Sequence, residues 1–182
     1  KYIEALGKVV NKELNTFNDF INALKERIEF FNSVGTRISD HSLEKIIYEE
    51  ASIEEVSIIY NKAKDGVTLS ESEINKYKTY MIIFFGREYK KYGWSQQYHI
   101  GALRNNSKRM FDLIGPDTGF DALNHRTYAE SLSKILSALD NDDSFNFSSS
   151  GIKSHVNNIV HNEKQRGNEI REYDIARSFQ DC

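Results

Sequence analysis

The sequence contains almost no cysteine and almost no proline. Its one cysteine is Cys182, so no disulfide can form within the chain and no cysteine metal site is available. Its one proline is Pro116, whereas an average usage of roughly 5% would give about nine. Because proline is poorly tolerated inside helices, this scarcity predicts a helix-rich chain.

The chain also lacks a charge excess and a long apolar run. Its 182 residues include 24 basic and 27 acidic ones, a net charge of −3, so there is no basic footprint for nucleic acid or for an anionic membrane. The longest apolar run, residues 81–85, is far too short to span a bilayer, and the first residues show no signal-peptide pattern. We therefore expect a soluble, cytoplasmic protein that binds neither nucleic acid nor membranes.

Helical patterns fill most of the remaining chain. Apolar residues recur with a helical period over residues 11–32. Ser52 with Glu55, and Ser70 with Glu73, fit the capping box that begins a helix, and these helices should run to about residues 64 and 92. Shorter helices are predicted over residues 42–50, 107–114 and 128–139.

Two stretches are typical of strands. The first, residues 36–39, leads into Asp40 and His41, and the second covers residues 94–106. The second stretch combines a tryptophan, two glutamines and a histidine, and buried polar groups cost free energy unless they are partnered. Such a strand usually lines a site. The order of strand, helices, strand and helices predicts a parallel α/β sheet or barrel, although two strands alone cannot close one.

Four stretches of the sequence resemble one known family. The string GWSQQYHIGALRNN at residues 93–106, followed by LIGPDTGFD at residues 113–121, closely resembles uronate (glucuronate) isomerase. RISDHSLE at residues 37–44 and the segment 84–92 resemble the same family in the same order. The resemblance covers about residues 1–140, leaving residues 141–182 as a polar, helix-prone tail of uncertain relation.

The resemblance implies a fold and an activity. The family implies a metal-dependent (β/α)8 barrel of the amidohydrolase superfamily, with sites at the C-terminal ends of its strands. Its members interconvert D-glucuronate with D-fructuronate and D-galacturonate with D-tagaturonate. The fold class expected here is thus α/β: a helix-rich barrel segment of about two βα units with a helical hairpin insertion, incomplete as a barrel.

Two departures from the family pattern matter. The family's metal-binding His-x-His pair and its metal-binding aspartate have no counterpart, because the five histidines, at 41, 99, 125, 155 and 161, form no such pair. The chain is also shorter than the ~250 residues of a complete barrel. We therefore expect an internal fragment that is inactive alone. The zinc or manganese of the full enzyme would not be bound by it.

Two histidines are the candidate catalytic residues. Given the resemblance, His99 on the second strand and His41 beside the first are expected to act on the substrate, as base or as ligand. The simpler alternative for His99 is a core histidine bonded to a backbone carbonyl. For His41 the neighbouring Asp40 offers another explanation, since it could cap a helix beginning at Ser42.

Four residues are candidates for binding a uronate sugar. Arg104 suits a bidentate clamp on the sugar carboxylate. Asn105, Asn106 and Asp40 could bind hydroxyl groups. Equally, the cluster at residues 104–106 could cap the following helix and hold its loop.

A second class of function also fits the sequence. The alternative to an isomerase fragment is a non-catalytic helical interaction module derived from a barrel segment. A small uronate is the expected partner, and an isolated fragment with uncovered apolar faces and strand edges should self-associate.

Overall fold

A computed structural model describes residues 2–43, 45–116, 118–120, 122–123 and 128–140. The elements in this part of the chain follow one another as α1 (Tyr2–Val10), α2 (Phe17–Ser33), β1 (Ile38–Leu43), α3 (Ile53–Lys64), α4 (Glu71–Lys91), β2 (Ser95–Ile100), β3 (Ala102–Leu103), α5 (Lys108–Ile114), β4 (Ala122–Leu123) and α6 (Ala129–Asp140).

The strands β1 and β2 pair in parallel, as the element order predicts. Asp40 lies opposite Gln97, and Ser42 opposite His99. The connection between them contains α3 and α4, because parallel neighbours need a crossover long enough to return the chain to the same end of the sheet. The expected helix-rich α/β arrangement with parallel strands is therefore confirmed.

The helix predicted over residues 42–50 is wrong. Ser42 and Leu43 continue β1, and residues 45–52 are neither helix nor strand. The side chain of Thr79 on α4 replaces the missing helical bonds: its hydroxyl accepts from the backbone N–H of Glu49 at 3.1 Å and donates to the carbonyl of Ile47 at 3.1 Å. This segment is thus held along α4 by tertiary contacts that no local pattern reveals.

The predicted strand at residues 94–106 is divided. Gly101 ends β2 with a φ of 73°, a conformation that glycine adopts at little cost. The chain then forms β3, which pairs antiparallel with β4. This second pairing was missed because each strand has only two residues, too few to show an alternation.

The helices begin where their caps predict. Ser52 and Ser70 both form complete capping boxes, with Glu55 and Glu73 as the reciprocal partners. The helix predicted over residues 11–32 is confirmed as α2 but begins later, at Phe17, where Thr16 forms a capping box of its own. The preceding α1 was not predicted. The helices predicted at residues 107–114 and 128–139 are confirmed as α5 and α6.

Buried apolar side chains form two clusters that share α4. One cluster joins α1, α2, α3 and α4 around Phe17 and Val56. The other joins α4, β2 and α6 around Tyr98 and Ile135. The helices therefore cover one face of the sheet. Helical patterns expected in the tail beyond residue 140 lie outside the described residues, and no described helix is long and apolar enough to cross a membrane.

Tyr60 is 4% exposed, and its hydroxyl has no hydrogen-bond partner among the described residues. Replacing Tyr60 with phenylalanine should therefore leave the free energy of unfolding unchanged or raise it by about 1 kcal/mol. Val56→Ala in the same cluster is the contrasting control. It opens a cavity at a fully buried site and should cost about 2 kcal/mol. Urea unfolding measures both, and a clear loss of stability in Tyr60→Phe would show that the hydroxyl is bound.

Candidate active site

The two faces of the β1–β2 pair carry different chemistry. Side chains alternate along each strand, so every second residue points to the same face. Gln96, Tyr98 and Ile100 of β2 are buried on the face that packs against the helices. The opposite face, called here the open face, carries exposed or half-buried side chains: Ile38, Asp40, Ser42, Ser95, Gln97 and His99.

Asp40 and His99 meet on the open face. The Nδ1 atom of His99 lies 2.6 Å from a carboxylate oxygen of Asp40, although the residues are 59 positions apart. An ionised carboxylate only accepts hydrogen bonds, so Nδ1 is the donor, and in a neutral imidazole Nε2 then keeps its lone pair. The side chains are 43% and 56% exposed, so a ligand can approach the pair.

Arg104 reaches the same face from the segment after β3. Its Nη2 atom donates a long hydrogen bond of 3.5 Å to the hydroxyl of Ser42. The guanidinium therefore contacts Ser42, the residue of β1 that lies opposite His99 in the strand register. Sequence reasoning missed Ser42, because residues 42–50 were assigned to a helix. Extending the period-two alternation from Asp40 would have identified it.

Asn105 and Asn106 shape the turn that follows Arg104. Asn105 has a φ of 58°, which asparagine tolerates better than most residues. The backbone N–H of Asn106 donates to the carbonyl of Phe120 at 2.8 Å, and its side-chain amide donates to the carbonyl of Leu103. Ser107, rather than these asparagines, caps α5. The predicted loop-holding role of this cluster is thus seen at Asn106.

The structure places His41 on the helix-facing side, away from Asp40 and His99. Its ring centroid lies 5.5 Å from that of Phe85, 5.8 Å from Tyr89 and 6.2 Å from Tyr98. Burial lowers the pKa of His41 below its usual 6.5, and the charge of neighbouring Asp40 opposes that shift. Since no helix begins at Ser42, Asp40 does not cap one.

A cavity of about 500 Å³ lies beside His41, between β1 and α4. Its walls are mainly apolar, with Ile46, Ile82 and Phe85 near the ring. Lys45 and Glu71 form an ion pair of 3.6 Å among its lining residues. Ser42 of the open face also lines the cavity, whereas Asp40 and His99 do not.

The described residues do not form a metal site. Nowhere among them do three histidine, cysteine, aspartate or glutamate side chains converge closely enough to hold a metal ion. Asp40 and His99 form a pair without a third such ligand. The described part of the open face therefore does not fit a resident metal.

Comparison with known proteins places this geometry in a family context. The family model described as glucuronate isomerase matches residues 1–159, which continues past the boundary expected near residue 140. A uronate isomerase of Caldicellulosiruptor saccharolyticus is 46% identical over 143 residues, 79% of this chain and 31% of that protein. One of Caldicellulosiruptor bescii is 44% identical over the same length. The chain thus spans about a third of the length of these relatives.

Solved structures show the same relationship. The crystal structure of uronate isomerase from Thermotoga maritima matches 76% of this chain and 31% of its own, with a TM-score of 0.71 and 33% identity. Glucuronate isomerase from Caulobacter crescentus matches with a TM-score of 0.67 at 21% identity, which supports the likeness of fold alone.

His41 should make the chain less stable in mild acid. Because burial lowers its pKa below 6.5 in the folded state, the unfolded chain takes up the proton first as pH falls. Above pH 6.5, His41 makes its full contribution to the free energy of unfolding. Below pH 6.5 that contribution declines. In His41→Phe, the free energy of unfolding should fall less between about pH 7.5 and 5 than in the unsubstituted chain, as measured by urea unfolding. Identical declines in both proteins would contradict the assignment.

Proposed function

Since the chain belongs to the glucuronate isomerase family, we propose that it supplies one wall of the sugar site in an aldose–ketose isomerase. The substrate pairs would be D-glucuronate with D-fructuronate and D-galacturonate with D-tagaturonate. The observation that carries this proposal is the Asp40–His99 pair beside Arg104 on the open face. Those groups match a reaction that moves protons on an anionic sugar.

The open face would point into the interior of a (β/α)8 barrel. In such barrels parallel strands form the inner layer and helices the outer one, and active sites lie at the C-terminal ends of strands. Here the helices pack on one face of β1 and β2, and the polar side chains occupy the other. The remaining strands would come from the parts of the relatives that this chain does not match.

His99 would serve as the acid–base group. Conversion of an aldose to a ketose requires the C2 hydroxyl to lose its proton and the C1 oxygen to gain one. This holds whether the carbon-bound hydrogen moves through an enediol or as a hydride. With Nδ1 bonded to Asp40, the Nε2 atom of His99 can take the first proton and return it at the second oxygen.

Arg104 would bind the sugar carboxylate. A guanidinium presents two parallel N–H donors that match a carboxylate, and its charge offsets the negative charge of the uronate. Asn105 and Asn106 follow it directly and would contribute amide groups to sugar hydroxyls. The hydrogen bonds that Asn106 makes to its own loop support the accompanying structural role.

A divalent metal in the complete enzyme, zinc or manganese, would take its ligands from outside the described residues. The cytoplasmic location expected from the sequence and the division between residues 1–140 and 141–182 stay predictions.

The 182-residue chain alone should show no turnover of D-glucuronate with added zinc or manganese, because one wall does not enclose the substrate. A chimera should restore activity: the 143 matched residues of the C. saccharolyticus enzyme are replaced by those of this chain. Isomerisation is followed by formation of the ketose. Turnover by the isolated chain, or an inactive but correctly folded chimera, would contradict the proposal.

Variants of that chimera test the individual residues. His99→Gln and Asp40→Asn should lower kcat, His99→Gln by about 10²–10⁴-fold. Arg104→Lys should chiefly raise KM, by on the order of tenfold, because a charge-assisted bidentate contact is lost. Lys108→Ala, on exposed α5, is the matched control and should change neither.

The isolated chain should self-associate through the outer edge of β1. Among the described residues β1 pairs only with β2, and an unpaired edge can accept another strand. Ile38, 63% exposed, lies at its start. Sedimentation velocity should show oligomers that Ile38→Lys reduces, while Val67→Lys, at a 53% exposed loop residue, leaves them unchanged. A compact monomer throughout would contradict this.

A further inference from the structure

Two adjacent residues of β1 have different surroundings. Asp40 lies on the open face and bonds to His99, whereas His41 lies on the helix-facing side among aromatic rings. Because consecutive side chains of a strand point to opposite faces, the position of one fixes the position of the other. A shift of the β1 backbone at His41 therefore also shifts Asp40.

The aromatic side chains around His41 are held in place by contacts with one another and with two helices. Phe85 and Tyr89 of α4 stack with their centroids 5.7 Å apart, and Tyr89 stacks on Trp94 at 5.3 Å. Trp94 in turn donates a hydrogen bond of 3.0 Å from its indole nitrogen to Asn32 of α2. His41 thus packs against a continuous stack that is attached at both ends to helices.

β1 contacts the helical layer through every second side chain. On the helix-facing side it presents Ser39, His41 and Leu43, all three half-buried, and Leu43 packs against the cluster around Tyr98 and Ile135. The segment after β1 has no regular structure, and β2 is the one described strand that pairs with it. The imidazole is the one ring that β1 places against the Phe85–Tyr89 stack of α4.

We propose that His41 is a positioning residue, which holds β1 against the Phe85–Tyr89 stack so that Asp40 stays within hydrogen-bond reach of His99. This rests on the proposed function, since it concerns the acid–base pair of that reaction. The role requires a planar ring of suitable size and uses no proton on His41. No partner for its Nε2 atom is present among the described residues, which agrees with a packing role.

The 182-residue chain provides a direct readout. A histidine Nδ1 proton bonded to a carboxylate resonates far downfield in the proton NMR spectrum, and loss of the signal in Asp40→Asn assigns it to the pair. His41→Ala should reduce this signal by at least half, because the cavity beside the ring lets β1 shift. His41→Phe should retain it.

Two further variants separate positioning from general stability. Val56→Ala destabilises the other core cluster and should leave the signal unchanged in the folded chain. Phe85→Leu removes the opposite side of the contact, with His41 intact, and should weaken the signal even if His41→Ala fails to fold.

Three results would overturn the proposal. They are a full-strength signal in folded His41→Ala or in Phe85→Leu, a lost signal in His41→Phe, and the absence of the signal from the unsubstituted chain. None of these decides the isomerase function, which the chimera assay tests separately.

Discussion

The arrangement of the open face depends on one constraint, the register between β1 and β2. It places Asp40 opposite Gln97 and Ser42 opposite His99, so the Asp40 carboxylate reaches the His99 ring, two residues further along the neighbouring strand. A slip of a single residue would turn Asp40 to the helices and His41 to the open face. The chemistry of the site is therefore a consequence of strand pairing.

The helical layer fixes that register from one side only. β2 is attached firmly, because Tyr98 and Ile100 are buried against α4 and α6. β1 depends on its ladder with β2, on a few side chains that face α4, and on the Thr79 contacts that hold residues 45–52. The polar partners of the site thus lie on a well-buried strand and on a more weakly attached one.

Much of this fold follows from local sequence rules. The capping boxes at Ser52 and Ser70 locate α3 and α4 because they satisfy backbone groups within four residues of each other. The polar composition of β2 also marked it as the wall of a site. The course of residues 42–52 could not be predicted, since Thr79, some thirty positions away, supplies the bonds that replace a helix.

The residues of the candidate site could be proposed from the sequence, but their arrangement could not. His99, Asp40 and Arg104 were identified through the family resemblance, but neither their pairing nor the inclusion of Ser42 could be known without the register. His41 shows the limit most clearly. A histidine next to an aspartate has the same sequence pattern whether it faces a substrate or an aromatic core, and only the phase of the strand distinguishes them.

The arrangement of the open face is contained within this chain. The hydrogen bond between Asp40 and His99, and the contact between Arg104 and Ser42, each join β1 to the chain around β2. All four side chains belong to this chain, so their mutual geometry needs no residue from elsewhere. In the proposed enzyme, closure around a sugar would need the opposite wall as well. Organisation of the Asp40–His99 pair and enclosure of a substrate would then be separable properties.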